Sequence, residues 1–207
     1  FCPGWDIEFE KEIKLIGHNK FYLSGTMVGA GPIQFDAGQT AETFNETKLI
    51  NNLKNIKTFN FQGSTKCPGL VHIEIWRKVG GWSEEFSPTG GDDTDFAMKL
   101  WQNDIRIFKG LGECLAYHFG SITTRKKDKS LFTYLGSRGN KIFLKKWGIT
   151  INFFEKFYLR SGLDNKKQLI FRKYEGELKE PQKNLVSYIE FFKIKLQKIY
   201  LKIINYK

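Results

Sequence analysis

An α/β fold is the class that the sequence predicts. Strand-like segments occur at 21–28, 105–108 and 114–119, and stretches with the apolar spacing of amphipathic helices separate them. Hydrophobic residues make up 41% of the 207 residues and aromatic residues 15%. This composition is enough to fill a core and excludes a disordered chain.

The N-terminal part is predicted to contain a helix, a strand and a weaker helix. After a Pro-Gly turn, residues 1–17 show the spacing of an amphipathic helix, and residues 21–28 read as a strand. The apolar positions of the helix are Ile7, Phe9, Ile13 and Ile16. Residues 29–40 are rich in glycine and are predicted to form a loop, while 41–56 form a weak surface helix.

The later elements follow from shorter patterns. Residues 70–79 form an apolar segment that fits either a helix or a strand. A helix is predicted to begin at Asp92, and 105–108 and 114–119 are predicted to be two strands. Residues 184–206 are predicted to form a long helix that mixes apolar residues with regularly placed lysines.

The charge distribution predicts an anionic partner. The chain has 33 lysine and arginine residues against 22 aspartate and glutamate residues, a formal net charge of +11 and a sequence pI near 9.5. A surplus of this size attracts nucleic acid, an acidic membrane surface or a phosphorylated substrate. The acidic residues gather at 6–12 and 84–95, so an acidic cluster lies within a basic chain.

The cysteines predict a reducing compartment, and the hydropathy predicts no membrane-spanning segment. Cys2, Cys67 and Cys114 are widely spaced and odd in number, which favours reduced thiols over a disulfide framework or a zinc site. No run of about 18 uncharged apolar residues occurs, so no segment is predicted to span a membrane. The expected location is the cytoplasm, with peripheral contact at the inner face of a membrane through 184–207.

The main chemical signal is the segment Gly90-Gly91-Asp92-Asp93-Thr94-Asp95. Two glycines allow a tight turn and the close approach of a ligand. Adjacent carboxylates repel each other, which raises the proton affinity of one of them and suits it to act as a base. The alternative is ordinary capping, since aspartate is common in the first turn of a helix.

Two further residues have two interpretations each. His118 ends a predicted strand, where a histidine is more often a satisfied core residue than a ligand. If the fold brings it to the acidic segment, the imidazole and the carboxylates form a metal or acid–base site. Trp82 is either a core anchor or an apolar platform on which a sugar ring stacks.

Three segments occur in a fixed order along the chain. They are Val79-Gly80-Gly81-Trp82-Ser83-Glu84-Glu85-Phe86, Gly90-Gly91-Asp92-Asp93-Thr94-Asp95-Phe96 and Tyr117-His118-Phe119. In this order and spacing they resemble glycosyltransferase family 2, over roughly residues 1–150. The resemblance implies a GT-A fold, in which a mixed β-sheet is flanked by helices, with inverting transfer of a sugar from a nucleotide-diphosphate donor to a hydroxyl acceptor.

The resemblance also implies roles for the acceptor side. Asp93 matches the general base that deprotonates the acceptor hydroxyl. Asp92 matches an acid that helps to bind the acceptor, although the family usually has glutamate at this position. Trp82, Gly90 and Gly91 lie in the segments expected to contact the acceptor.

The donor side is implied less completely. His118 matches a position that ligates the divalent cation, Mn²⁺ or Mg²⁺, in metal-dependent members of the family. Such a cation and basic side chains neutralise the departing diphosphate. Arg125 and Lys126 are expected to reach that diphosphate, with a solvated charge run as the alternative.

The resemblance divides the chain into two parts. Phe1-Cys2-Pro3-Gly4-Trp5 resembles the Pro-Gly-Trp turn that follows the family's DXD motif, so the nucleotide-binding half is expected upstream. Residues 1–160 are interpreted as the acceptor-side part of a GT-A domain, and 161–207 as a basic, aromatic-rich helical extension. Residues 143–148 resemble a helix that packs over the acceptor side in some members. The expected partners are a nucleotide-sugar donor and a carbohydrate or glycolipid acceptor.

Two other classes of protein remain as alternatives. The net charge of +11, the interleaved aromatic residues and the Asp-Asp-x-Asp cluster fit a nucleic-acid-binding or metal-dependent nucleic-acid-processing protein. The segment 184–207 fits a non-catalytic membrane-peripheral adaptor. Docking of that helix on its own domain or on a partner explains its pattern equally well.

Overall fold

The computed structural model describes residues 1–31, 33–63, 68–88, 90–120, 129–162 and 172–204. The helices are α1 (Trp5–Ile16), α2 (Glu46–Ile56), α3 (Ile73–Val79), α4 (Asp92–Gln102), α5 (Lys129–Trp147), α6 (Ile151–Phe153) and α7 (Leu185–Ile204). The strands are β1 (Phe21–Gly29), β2 (Phe61–Gln62), β3 (Gly69–Val71) and β4 (Ile107–His118). The predicted α/β class is confirmed. Arg125 and Lys126 lie outside the described residues.

The sheet is mixed and has the order β2-β4-β1-β3. The two central strands, β1 and β4, are parallel, whereas β2 and β3 pair antiparallel to them at the edges. The register pairs Phe21 with Ile107 at one end and Gly29 with His118 at the other. Because parallel strands end at the same edge, His118 and the loop after β1 lie side by side.

Strand structure is found in both predicted segments, 105–108 and 114–119, but their division into two strands is wrong, since β4 (Ile107–His118) runs through both. The register shifts between Ser24 and Thr26, where β1 advances two residues while β4 advances from Gly110 to Leu115. The extra residues form a bulge, and the backbone N–H of its Gly112 donates to Asn60 Oδ1 at 2.9 Å. The bulge interrupts the alternation of side chains that marks a strand in the sequence.

The segment 70–79, which fitted a strand or a helix, contains both. Its first part belongs to β3, and its second part is α3. His72 separates them: its Nδ1 accepts a hydrogen bond from the backbone N–H of Glu74 at 3.3 Å and caps α3.

Helix α1 covers one face of the sheet. Phe9 is buried against Phe21 and Leu23 of β1, as its place in the predicted apolar face requires. The prediction for Ile7 is wrong, because this side chain is 62% exposed. Glu12 is buried instead, since its carboxylate accepts a hydrogen bond from Lys109 Nζ at 2.6 Å and thereby ties α1 to β4.

The opposite face carries the largest core cluster, which α4, α5 and the π-helical turn Phe154–Tyr158 build on Tyr22 and Phe108. Leu178 and Ile194 are buried in the same cluster, so residues 172–204 pack on the core that residues before 160 form. Across the parts of the chain listed above, no helix combines the length and the apolar character needed to cross a membrane.

Cys2 and Cys114 are buried free thiols, in keeping with the predicted reduced state. Burial raises the pKa of the Cys114 thiol to about 12, so this side chain stays protonated at neutral pH. Cys67 lies outside the described residues. The described cysteines therefore pack in the core.

Candidate functional site

The start of α4 lies behind a tight turn made by two glycines. Gly90 and Gly91 have φ angles of 111° and 98°, in the left-handed region that favours glycine. Asp92 is the first helical residue, as predicted, and its Oδ1 accepts a hydrogen bond from the backbone N–H of Gly90 at 3.0 Å. Asp92 therefore holds the turn that precedes it.

The three aspartates of this first turn lie in two different environments. Asp95 is completely buried, whereas Asp92 and Asp93 are partly exposed. The first helical turn carries unpaired amides and the positive end of the helix dipole, which favour all three carboxylates. Of the three residues, Asp92 and Asp93 retain exposed surface.

Asp95 is held by a network from two other segments. Its carboxylate accepts hydrogen bonds from Ser83 Oγ at 2.6 Å and from Trp147 Nε1 at 2.7 Å. Lys146 Nζ lies 3.0 Å from Asp95 Oδ1 and 2.6 Å from Glu85 Oε1. We name Ser83, Asp95, Lys146 and Trp147 the Asp95 network. It joins the end of α5 to the start of α4.

Asp95 raises the pKa of both nearby lysines, but burial opposes it with a different outcome in each. Desolvation alone would lower the pKa of Lys146, but the hydrogen bonds that Lys146 donates to Glu85 and Asp95, together with their negative charges, outweigh it and raise that pKa. Burial lowers the pKa of Lys99, and the nearby Asp95 only partly offsets this. Lys146 is thus the cation that compensates the buried charge of Asp95.

Helix α5 packs directly on the glycine turn. A Cβ on Gly139 would overlap the carbonyl oxygen of Gly90, and one on Gly91 would lie 2.8 Å from Ile151 Cδ1. Arg138 donates hydrogen bonds to the carbonyl oxygens of Ser87 at 3.1 Å and Glu85 at 3.0 Å. On this side the space beside the two glycines is occupied by protein, so a ligand reaches Asp92 and Asp93 from elsewhere.

Trp82 packs on two aromatic residues and also lines a cavity. Its ring packs on Phe96 of α4 with 4.8 Å between centroids and on Trp76 with 5.9 Å. It is nevertheless 40% exposed and lines a cavity of about 430 Å³ together with Phe96, Trp76 and Ile73. The exposed part of the indole is an apolar surface next to the Asp95 network.

His118 lies in a second cavity, of about 470 Å³, between the loop after β1 and the end of β4. Its Nδ1 is 3.3 Å from the carbonyl oxygen of Ala30. Tyr117 shapes the cavity, because its hydroxyl donates to the Gly38 carbonyl oxygen at 2.7 Å. Asp36 is the acidic residue that shares this lining with His118.

None of the three aspartates at the start of α4 is among the described residues that line the His118 cavity. Phe96 of α4 packs on Tyr22 near the start of β1, whereas Gly29 beside His118 ends that strand. About 23 Å of strand separates Tyr22 from Gly29. Convergence of His118 with Asp92 and Asp93 on one cleft therefore stays a prediction.

A divalent cation needs several oxygen or nitrogen ligands converging on one point. Among the described residues, no group of three or more His, Cys, Asp or Glu side chains could hold a metal ion. His118 and Asp36 lie in one cavity but make only two ligands. The described residues alone do not fit a complete metal site.

Sequence reasoning found the acidic turn but missed the residues that hold it. Lys146 and Trp147 lie within the segment 143–148, which the family resemblance placed near the acceptor side without a chemical role. Their partner Asp95 lies about 50 residues earlier in the chain, at separations of 51 and 52. A buried aspartate cannot be told from two accessible ones by spacing alone.

Comparison with models of known families, with curated proteins and with solved structures finds no match to this chain.

Proposed function

We propose that this chain is part of a GT-A-type glycosyltransferase that resembles family 2. It would transfer a sugar from a nucleotide-diphosphate donor to a hydroxyl acceptor with inversion. The observation that carries the proposal is that the aspartates in the first turn of α4 differ in burial. Asp92 and Asp93 are partly exposed behind a glycine turn, while the neighbouring Asp95 is buried and neutralised by Lys146.

The proposed chemistry needs one base. An alcohol is a poor nucleophile until its proton is removed, and a positioned carboxylate removes it as the oxygen attacks. Asp93 accepts this proton while the acceptor oxygen forms a bond to the anomeric carbon. The bond from that carbon to the diphosphate breaks on the opposite face, and its electron pair leaves with the diphosphate. Attack from the opposite face inverts the anomeric centre.

Asp92 and Trp82 orient the acceptor in this proposal. Asp92 Oδ1 is engaged with the Gly90 N–H, and a carboxylate has further lone pairs with which to accept a bond from a sugar hydroxyl. The exposed part of Trp82 offers an apolar face for a sugar ring. The Asp95 network positions α4 and takes no part in proton transfer.

The donor side of the proposal involves a divalent cation, Mn²⁺ or Mg²⁺, that would neutralise the diphosphate. His118 would be one ligand of this cation, and Arg125 and Lys126 would contact the diphosphate. Because the described residues do not fit a complete metal site, no step is derived through the ion.

The test is a transfer assay with the full-length enzyme, a panel of nucleotide sugars and an acceptor found by product analysis. Asp93→Asn is expected to lower turnover by at least about 100-fold and to leave nucleotide-sugar binding nearly unchanged. Asp6→Asn, in the first turn of α1, is the matched control and is expected to keep full turnover. Unchanged turnover of Asp93→Asn, or retention of anomeric configuration by NMR, would refute the assignment.

A further inference from the structure

Helix α7 has two apolar faces, and among the described residues one of them packs on the core while the other is exposed. Ile194 and Ser187 are buried on the inner face, and Phe153 contacts Phe191 with 5.8 Å between ring centroids. Lys156 Nζ pairs with Glu190 Oε1 at 2.8 Å on the same side. These contacts fix the orientation of α7 on the core, so the direction of its other face is also fixed.

The outer face carries a continuous row of large hydrophobic residues, which we name the outer stripe. It consists of Leu185, Tyr188, Ile189, Phe192, Leu196, Ile199, Tyr200 and Ile203. Each of these side chains is at least 47% exposed. At about 100° per residue they fall within an arc of about 120°, along about 27 Å of helix. A contiguous exposed apolar surface of this kind marks an interaction site.

The charges beside the outer stripe are positive. Lys193 and Lys195 flank Phe192 and Leu196 on either side, and both lysines are exposed. The acidic residue of α7, Glu190, is on the inner face and is paired with Lys156. The stripe is therefore a hydrophobic surface with cationic edges, which complements an apolar surface with anionic edges.

A second copy of this helix is a poor partner for the stripe. Six stripe residues follow the four-three spacing of a coiled-coil seam: Leu185, Ile189, Phe192, Leu196, Ile199 and Ile203. Lys193 and Lys195 then occupy the flanking positions that set pairing between helices. In a parallel pair, Lys195 would face Tyr200 and Tyr188 would face Lys193, so neither lysine would find the carboxylate that stabilises such a pair.

We propose that the outer stripe binds the surface of a lipid bilayer that contains anionic phospholipids. The helix lies in the plane of the interface, with the stripe among the acyl chains and the lysine ammonium groups at the phosphates. The breadth of the stripe fits a planar surface better than the narrow seam of a helix pair. Tyr188 and Tyr200 lie at its margins, where an aromatic ring with a polar tip suits the headgroup region.

The experiment is flotation of the 207-residue chain with vesicles of phosphatidylcholine, with and without about 30% phosphatidylserine. We expect binding at least about 10-fold tighter to the anionic vesicles, and weaker binding in about 0.5 M NaCl. Phe192→Ser with Leu196→Ser should abolish binding, and Lys193→Glu with Lys195→Glu should remove the preference for phosphatidylserine. Ile7→Ser with Leu15→Ser, exposed on α1, is the matched control and should bind as the parent chain does.

The proposal is overturned by a lack of binding to both vesicles, or by binding that persists in the Phe192→Ser, Leu196→Ser variant. A stable dimer in sedimentation equilibrium that this variant disrupts would also overturn it, because a second copy would then cover the stripe. Circular dichroism of each variant checks that the fold is retained. None of these results depends on the proposed transferase activity.

Discussion

Asp93 and Asp95 are two residues apart in one helical turn, yet their environments are opposite. Asp95 is buried and bonded to Ser83, Lys146 and Trp147, whereas Asp93 is partly exposed beside Asp92. A helix can turn two such carboxylates to different sides, because successive residues are rotated by about 100°. A single acidic segment thus contains one carboxylate that holds α4 on α5 and another residue that is partly exposed.

The largest effect on stability is expected from Asp95→Asn. This change weakens the charge-assisted hydrogen bonds that Ser83, Lys146 and Trp147 donate to a fully buried carboxylate, which should cost about 3 kcal/mol or more of unfolding free energy. Asp93→Asn should cost less than about 1 kcal/mol, because its side chain is not enclosed to the same degree. Urea unfolding of the two variants measures the difference. Equal losses would remove the distinction between the two aspartates.

A smaller effect is expected at the contact between α5 and the glycine turn. Ala normally stabilises a helix relative to Gly, but a Cβ on Gly139 would overlap the Gly90 carbonyl oxygen. Gly139→Ala should therefore lower the unfolding free energy by about 1–3 kcal/mol. Gly136→Ala, where nothing lies within 4 Å of the added Cβ, is the matched control. It should raise stability by about 0.5–1 kcal/mol, and a gain at both positions would contradict the packing of α5 on Gly90.

The smallest effect is expected from alkaline pH acting on Lys146. The folded-state pKa of Lys146 is raised above its ordinary value of 10.5. The stabilisation it gives is therefore fully present below that value and is lost as pH rises through the folded pKa. The difference in unfolding free energy between the parent chain and Lys146→Met should be constant from neutral pH to the ordinary lysine pKa of 10.5. It should shrink only as the pH rises further, through the folded-state pKa of Lys146. A difference that instead disappears on acidification toward neutral pH would contradict this sign.

The sequence predicted the elements whose signals are local. The strand β1 and the start of α4 at Asp92 follow from apolar spacing and from glycines and aspartates within a few residues. The single strand β4 was not predicted, because the bulge near Gly112 depends on Asn60, 52 residues away. The exposure of Ile7 likewise depends on the Glu12–Lys109 pair, which orients α1 on the sheet.

The candidate site could be predicted in composition but not in arrangement. Three aspartates in one turn look alike in the sequence, and only contacts with Ser83, Lys146 and Trp147 distinguish Asp95 from the others. The same limit applies to α7, whose apolar residues occupy two faces. Burial of Ile194 on the core shows which of these faces is left exposed.

Turnover measured side by side for Asp93→Asn and Asp95→Asn tests the central claim most directly, with each rate expressed per folded molecule. Asp93→Asn should lose at least about 100-fold in turnover and keep its melting temperature, while Asp95→Asn should lose melting temperature and keep turnover in its folded fraction. A fully active Asp93→Asn, or an Asp95→Asn that is folded but inactive, would contradict this division.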